Sequence, residues 1–377
     1  MRIKTIKLVS DQQGLDCLEK EWDVLLNLSR NRSVFLTWEW VRTWWEVFKE
    51  GKELFIIVFR DENETLCGMA PFYRMEKLRR PFRVRELRFL GFGEEVKPDY
   101  LGVISAPEME KEVTAALCGY LQEVSSEWDT LYLTDIPEEL PYLEEIARFY
   151  KEKRYLIHQK PSADCTYIPL DISYDRFIGT LGKNLQYNIG RRTKTLFKNF
   201  KTEFFLWEDP FTVREGIEHL GFLHRRRWVA KESNHSFSSD RYLVFHQQIA
   251  ERFLRKGWLR LYGLKVDGAI VALLYCYRYL GKIYYYQSGF DPDWYKYSVG
   301  LVLRASALRH AIEEGASEFD FLRGDHGYKQ EWSQKTRTTR ALYLAKPALS
   351  SRLDFAVQVG LPLIKSRLRK AWTRVAL

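Results

Sequence analysis

The chain has 377 residues, more than one hydrophobic core usually organises, so two domains are expected. With 46% hydrophobic and 15% aromatic residues it has ample apolar surface to bury, which excludes an intrinsically disordered chain. A net charge of +9 favours anionic partners, among them phosphorylated small molecules, nucleic acid and an anionic membrane face, without choosing between them.

In chain order, residues 3–9 alternate as a first strand, and residues 15–28 carry Leu15, Leu18, Trp22, Leu25 and Leu26 on one helical face. Thr37 is read as the N-cap of a second helix bearing Trp40, Val41, Trp44, Trp45 and Phe48, whose tryptophans fit core packing better than cofactor stacking. Residues 54–59 and 66–73 form a hairpin around Asp61-Glu62-Asn63-Glu64. Strands at 87–90 and 100–104, a helix at 107–124, a strand at 130–134 and a helix at 138–150 follow. Residues 155–170 are expected as an extended link between halves, followed by helices at 177–181 and 184–200. The second of these sets Arg191, Lys194, Lys198 and Lys201 opposite Leu185, Ile189, Leu196 and Phe200, a pattern that fits a solvated cationic face better than a binding surface. Further helices cover 221–228 and 242–254.

The stretch from Trp258 to Trp332 organises the rest. Two Val-, Leu- and Tyr-rich runs meet at Asp267-Gly268, a dipeptide suited to a tight hairpin, and a third strand follows at 282–288. The chain breaks at Gly289 and Asp291-Pro292, then starts a helix near Val299 that closes at Glu313-Glu314-Gly315. A buried strand at 319–322 leads into the polar loop Arg323-Gly324-Asp325-His326-Gly327-Tyr328-Lys329, and residues 337–345 supply a closing strand. The N-terminal half shows the same order of hairpin, strand, helix and strand, which implies an internal duplication. The two copies differ at one helix start. Pro107-Glu108-Met109-Glu110 puts carboxylates on the positive end of the helix dipole, whereas Lys296-Tyr297-Ser298-Val299-Gly300 offers free amides, a hydroxyl and a cation. Only the second copy suits an anionic cofactor.

This order resembles the core of the GNAT acyltransferases. Gln287-Ser288-Gly289-Phe290-Asp291-Pro292, Tyr297-Ser298-Val299-Gly300 and Phe319-Asp320-Phe321-Leu322-Arg323-Gly324-Asp325 with Tyr328-Lys329 and Trp332 are similar to the acetyltransferase domains of cellulose and exopolysaccharide biosynthesis, relatives of the FemAB aminoacyl transferases. The opening at 35–45 and His224-x-x-Arg227-Trp228 share the likeness. The implied fold is α/β (α+β), with tandem GNAT-like domains at 1–160 and 161–346, each a mixed, mostly antiparallel sheet flanked by helices, and a basic amphipathic tail at 347–377.

The resemblance implies an acetyl-CoA or other acyl-CoA donor held by Tyr286, Gln287, Ser288 and Gly289 and by Lys296, Tyr297, Ser298, Val299 and Gly300. Asp325 is the expected proton acceptor, with His326 next. Tyr328 or Tyr286 would protonate the leaving thiolate, Lys329 would steady negative charge or a donor phosphate, and His224, Arg227 and Arg323 would line the acceptor side. Bracing of the loop by Asp325 and a structural salt bridge for His224 and Arg227 are the competing readings. The chain departs from the family where Tyr295, Ser298 and Gly300 occupy its phosphate-loop positions, since only the glycine agrees, and where His326 replaces a common acid. No metal is expected, because HExxH and paired CxxC spacings are missing.

The implied activity is N-acylation of an amino sugar or nucleotide sugar in surface polysaccharide assembly. Aminoacyl transfer from tRNA and a non-catalytic scaffold are the alternatives. The odd cysteine count, the strand-like N-terminus and the lack of a window of roughly 20 apolar residues lead to the expectation of a cytoplasmic protein. The tail aligns Leu353, Val357, Leu361, Ile364, Leu368, Trp372 and Val375 on one stripe beside many cations, and reads equally as lying on the inner face of an anionic membrane or packing on the body.

Overall fold

A computed structural model describes residues 2–93, 95–229, 237, 239–324 and 327–362. The chain begins with β1 (Ile3–Val9), α1 (Gln12–Cys17), α2 (Glu19–Leu28) and α3 (Trp38–Phe48). Asp11 caps α1 through the Gly14 amide and Thr37 caps α3 through the Trp40 amide, so the polar residue before each apolar-periodic run stops the chain from extending the helix backwards. The expected single helix at 15–28 is divided at Leu18. Next come β2 (Lys52–Asp61), β3 (Leu66–Arg79), β4 (Phe82–Phe89), β5 (Ile104–Ser105), α4 (Glu110–Glu123), β6 (Thr130–Pro137), α5 (Tyr142–Glu152) and β7 (Leu156–Pro169). Asp61 fixes the β2–β3 turn by accepting from the Asn63 and Thr65 amides.

The order then repeats. After α6 (Tyr174–Thr180) and α7 (Lys183–Asn199) come β8 (Thr202–Leu206), α8 (Val213–Val229), α9 (Asp240–Arg255), β9 (Leu259–Val266), β10 (Ala269–Tyr279), β11 (Lys282–Phe290), α10 (Val299–Glu313), β12 (Glu318–Arg323), α11 (Gly327–Trp332), β13 (Thr336–Ala345) and α12 (Leu349–Phe355). All thirteen strands join one sheet in the order β1-β2-β3-β4-β6-β13-β7-β12-β11-β10-β9-β8, with β5 on β3. Its two outer portions mirror each other, each an antiparallel run ending in one short parallel pair, β4 with β6 and β11 with β12. The halves exchange their last strands. β7 leaves the first half to pair with β12, β13 returns to pair with β6, and β7 and β13 lie side by side at the centre.

Residues 155–170, expected as a link, are thus a strand hydrogen-bonded on both edges. Its polar run and Pro161 conceal this. The proline is tolerated because the ladder to β13 slips beside it, leaving Ser162 as the extra residue. A second duplicated detail confirms the symmetry: β6 and β12 each bulge against the exchanged strand, with Asp135 (φ 60) and Leu322 (φ 56) in left-handed conformation.

One aromatic core spans both halves. Trp40 of α3 meets Phe245 of α9 at 5.0 Å and Tyr277 of β10 at 6.0 Å, which is the packing role expected of the tryptophan cluster.

Candidate functional site

β11 and β12 pair only at Lys282↔Glu318, Ile283↔Phe319 and Tyr284↔Asp320. Beyond them β11 continues to Phe290 along β10, and β12 turns toward β7. The strands therefore part, and the backbone groups of residues 285–290 that point away from β10 face a gap. A bulge sharpens the parting: the β10 register jumps from Tyr275↔Gln287 to Cys276↔Tyr285, leaving Tyr286 as the extra residue. Tyr285 and Tyr286 consequently serve opposite faces. Tyr286 enters the aromatic core near Trp40 and His246, with its hydroxyl hydrogen-bonded to Tyr242. Tyr285 packs against Phe321 and donates to the Ser288 hydroxyl at 2.7 Å.

At the mouth of the gap, Asp291 caps a 3-10 turn over Pro292–Tyr297, and Ser298 adopts φ 56, ψ 42 before α10 begins. The amides of Val299 and Gly300 are the first two of α10, so no preceding helical carbonyl can satisfy them. Arg192 of α7 donates to the Lys296 carbonyl at 2.6 Å and ties the basic helix to this turn.

Two guanidinium groups approach from opposite sides. Arg304 lies 4.2 Å from the Tyr328 ring and within 6.0 Å of Tyr285 and Trp332, and its buried Nε has no hydrogen-bond partner among the described residues. Arg227 stacks 4.9 Å over Phe290. The Tyr328 hydroxyl is hydrogen-bonded to Tyr285, and burial raises its pKa well above the ordinary tyrosine value, so it is a neutral donor at physiological pH. An orphaned buried guanidinium nitrogen, first-turn amides and neutral hydroxyls form a donor-rich lining that suits an anionic ligand. Arg304 gave no signal in the sequence, being one basic residue between Leu303 and Ala305 in a helix.

Several expected site residues have other employment. The Lys329 ammonium, 4% exposed, donates to the carbonyls of Phe321 (2.9 Å), Leu322 (3.0 Å) and Arg323 (2.6 Å). It holds the frayed end of β12, which spends all three protons on the protein, and burial pulls it down to about 8. Arg323 bridges the halves, with Nε 2.8 Å from Asp99 and Nη2 2.6 Å from Asp135, both buried. The same residue also lines a cavity beside β12, so the clamp sits at its wall. Gly289 admits α8: a Cβ would stand 2.6 Å from the His224 nitrogen. His224 is itself buried beneath β11, 5.3 Å from the Phe237 ring. Tyr297 packs on Phe200 and Trp294, and Lys296 lies over the Tyr297 ring. Gln287 accepts from the Ser288 amide. Asp325 and His326 lie outside the described residues.

Sequence reasoning missed Asp320. Fully buried between the halves, it accepts from the Tyr100 hydroxyl (2.6 Å), the Leu322 amide (2.7 Å) and Arg337 (3.3 Å), and burial pushes it up to about 7. Beside β12, a cavity of about 580 Å3 lined by Pro161, Asp164, Arg323, Gly324 and Lys329 opens on the β7 side. Among the described residues no cluster of three metal-ligating side chains occurs, and no helix is long and apolar enough to cross a membrane.

Residues 183–330 match the family model described as an acetyltransferase (GNAT) domain. No curated protein matches the chain significantly. Among solved structures it is similar to FemX, with 11% identity and a TM-score of 0.63 over 90% of this chain and 97% of that one. It is also similar to L-PGS from Bacillus licheniformis (12%, TM-score 0.52, 90% and 95%) and to a tandem GNAT protein from the clavulanic acid biosynthesis pathway (12%, TM-score 0.51, 91% and 100%). At these identities the likeness establishes the fold alone, a tandem GNAT-like architecture, and the family match lies in its second half.

Proposed function

We propose that the chain transfers an acyl group from a phosphate-bearing carrier to an amine, with the carrier's reactive arm lying in the gap between β11 and β12. The observation that carries this reading is the buried Nε of Arg304, without a hydrogen-bond partner among the described residues, on the same helix whose first-turn amides of Val299 and Gly300 precede it. Acyl-CoA fits it best, its phosphates meeting Val299, Gly300 and Arg304 and its pantetheine arm meeting the backbone of residues 285–289. The acceptor nitrogen attacks the thioester carbonyl, the C–N bond forms, and the oxyanion takes hydrogen bonds from strand amides. The C–S bond then breaks, the Tyr328 hydroxyl hydrogen-bonds the departing sulfur, and the amine proton passes to a base for which Asp325, with His326, is the proposed group. The cavity beside Gly324 offers room for a compact acceptor such as an amino sugar or nucleotide sugar, a substrate class supported by sequence resemblance alone.

A second reading, aminoacyl transfer from tRNA, is favoured by α7. Lys183, Tyr187, Arg191, Lys194 and Lys198 share one exposed face of a helix tied to the turn before α10. Calorimetry separates the two. Micromolar binding of acetyl-CoA, lost in Arg304→Ala, supports the first. Binding of aminoacyl-tRNA that weakens steeply with salt, with no CoA binding, replaces it with the second.

A further inference from the structure

The C-terminal helix leaves an apolar stripe on its outward side. α12 continues through a wider turn at Ala356–Gly360, and its inward side combines Ser351 and Asp354, both fully buried, with Val359 and Phe355, which pack on Tyr343. Asp354 pairs with Arg79 at 2.6 Å, accepts from the Tyr343 hydroxyl and lies 3.9 Å from Lys77. Outward stand Leu349 (64% exposed), Leu353 (41%), Val357 (43%) and Leu361 (52%), at four-residue intervals. A four-residue repeat drifts around a regular helix, and the wider turn rewinds it so that the stripe stays aligned. Amphipathic helices ordinarily bury such a stripe and expose the charges.

The stripe has a neighbour. Arg79 belongs to β3, so its bond to Asp354 locks the tip of the β3–β4 hairpin beside α12. That tip exposes Leu78 (58%), Arg80, Pro81 and Arg83, the last in a surface pair with Glu76. Following the helix, residues 363–377 contain Lys365, Arg367, Arg369, Lys370 and Arg374 and no acid. An apolar stripe rimmed by cations is the chemistry of a surface that meets anionic lipid headgroups.

We infer that the β3–β4 hairpin tip and the C-terminal helix form one platform that seats the protein on an anionic bilayer, independently of what its acyltransferase site does. A second copy is a poorer occupant, because pairing two such faces would bring cationic rims together on a chain already at +9. The test is sedimentation of the full chain with phosphatidylglycerol–phosphatidylcholine vesicles against phosphatidylcholine alone. Binding is expected only to the anionic vesicles. It should fall at least about tenfold in Arg80→Glu/Arg83→Glu, since each cation near the surface contributes about 1 kcal/mol, and equally in Leu353→Glu/Val357→Glu. All four positions are exposed, so melting temperatures should hold, and Leu353→Ser serves if the paired glutamates disturb the helix. No anionic preference, full binding by the hairpin variant, or a concentration-dependent dimer dissolved by Leu353→Glu/Val357→Glu would each overturn the inference.

Discussion

Three protons of Lys329 end on consecutive carbonyls at the close of β12, so the residue acts on shape before it acts on chemistry. Lys329→Met leaves those carbonyls unpaired and should lower stability by about 3 kcal/mol in a denaturant titration, while donor affinity in the folded fraction is unchanged. Arg304→Ala should do the reverse: stability within about 1 kcal/mol and donor affinity down by roughly 10- to 100-fold by calorimetry, the worth of charge-assisted hydrogen bonds. His246 contributes a pH effect. It is ringed by Trp40, Tyr242, Phe245, Tyr275 and Tyr286, and burial lowers it to about 3. Between the ordinary value near 6.5 and that folded value the unfolded chain takes up a proton the folded chain refuses, so this group's contribution to stability is lost as pH falls. Asp320, raised to about 7, acts oppositely, because its folded form keeps a proton the unfolded form releases. His246→Leu should therefore remove about 3 kcal/mol of acid destabilisation between pH 7 and 4, measured as the difference in unfolding free energy from the unsubstituted protein. A variant with the same pH slope as that protein would place the proton elsewhere. None of these roles was legible in the sequence, since the number of carbonyls around an ammonium or rings around an imidazole depends on strands far apart in the chain.

Elements were more legible than side chains because periodicity is local. The strands β9 to β11, the start of α10 at Val299 and the Thr37 cap all follow from patterns within a dozen residues. What failed is what depends on partners. β7 is polar and holds a proline, β8 is a five-residue edge strand, and the β3–β4 hairpin alternates charge with apolar residues in a way no single-face rule captures. Gly289 shows where a pattern was seen and one of its causes was not. The glycine in the Gln287-Ser288-Gly289 run reads as a cofactor contact, yet its missing side chain lets the α8 backbone approach β11. Gly289→Ala should cost about 1–3 kcal/mol through overpacking, and it should shift α8 with His224 and Arg227, so donor binding weakens together with thermal stability. Loss of donor binding with stability intact would return the glycine to the site itself.

At the scale of the molecule, strand exchange decides how the two halves behave. The boundary expected at residue 160 falls inside β7, a strand whose hydrogen bonds run to β12 and β13. Cutting there would open the centre of the sheet and strip β6 and β12 of their neighbours. The exchange is reinforced by Arg323, which carries one charge of the second half between Asp99 and Asp135 of the first. Arg323→Ala leaves two buried carboxylates without a cation, a loss of about 3–5 kcal/mol, and it does so at the end of β12 beside the parted strands. Calorimetry should show one transition for the unsubstituted chain, with calorimetric and van't Hoff enthalpies equal, because neither half can melt while its last strand remains in the other. In Arg323→Ala the melting point should drop and the transition should remain single, since the exchanged strands still bind the halves. Two resolved transitions in either protein would mean that the halves are independent domains, and the active gap would then owe nothing to the N-terminal copy.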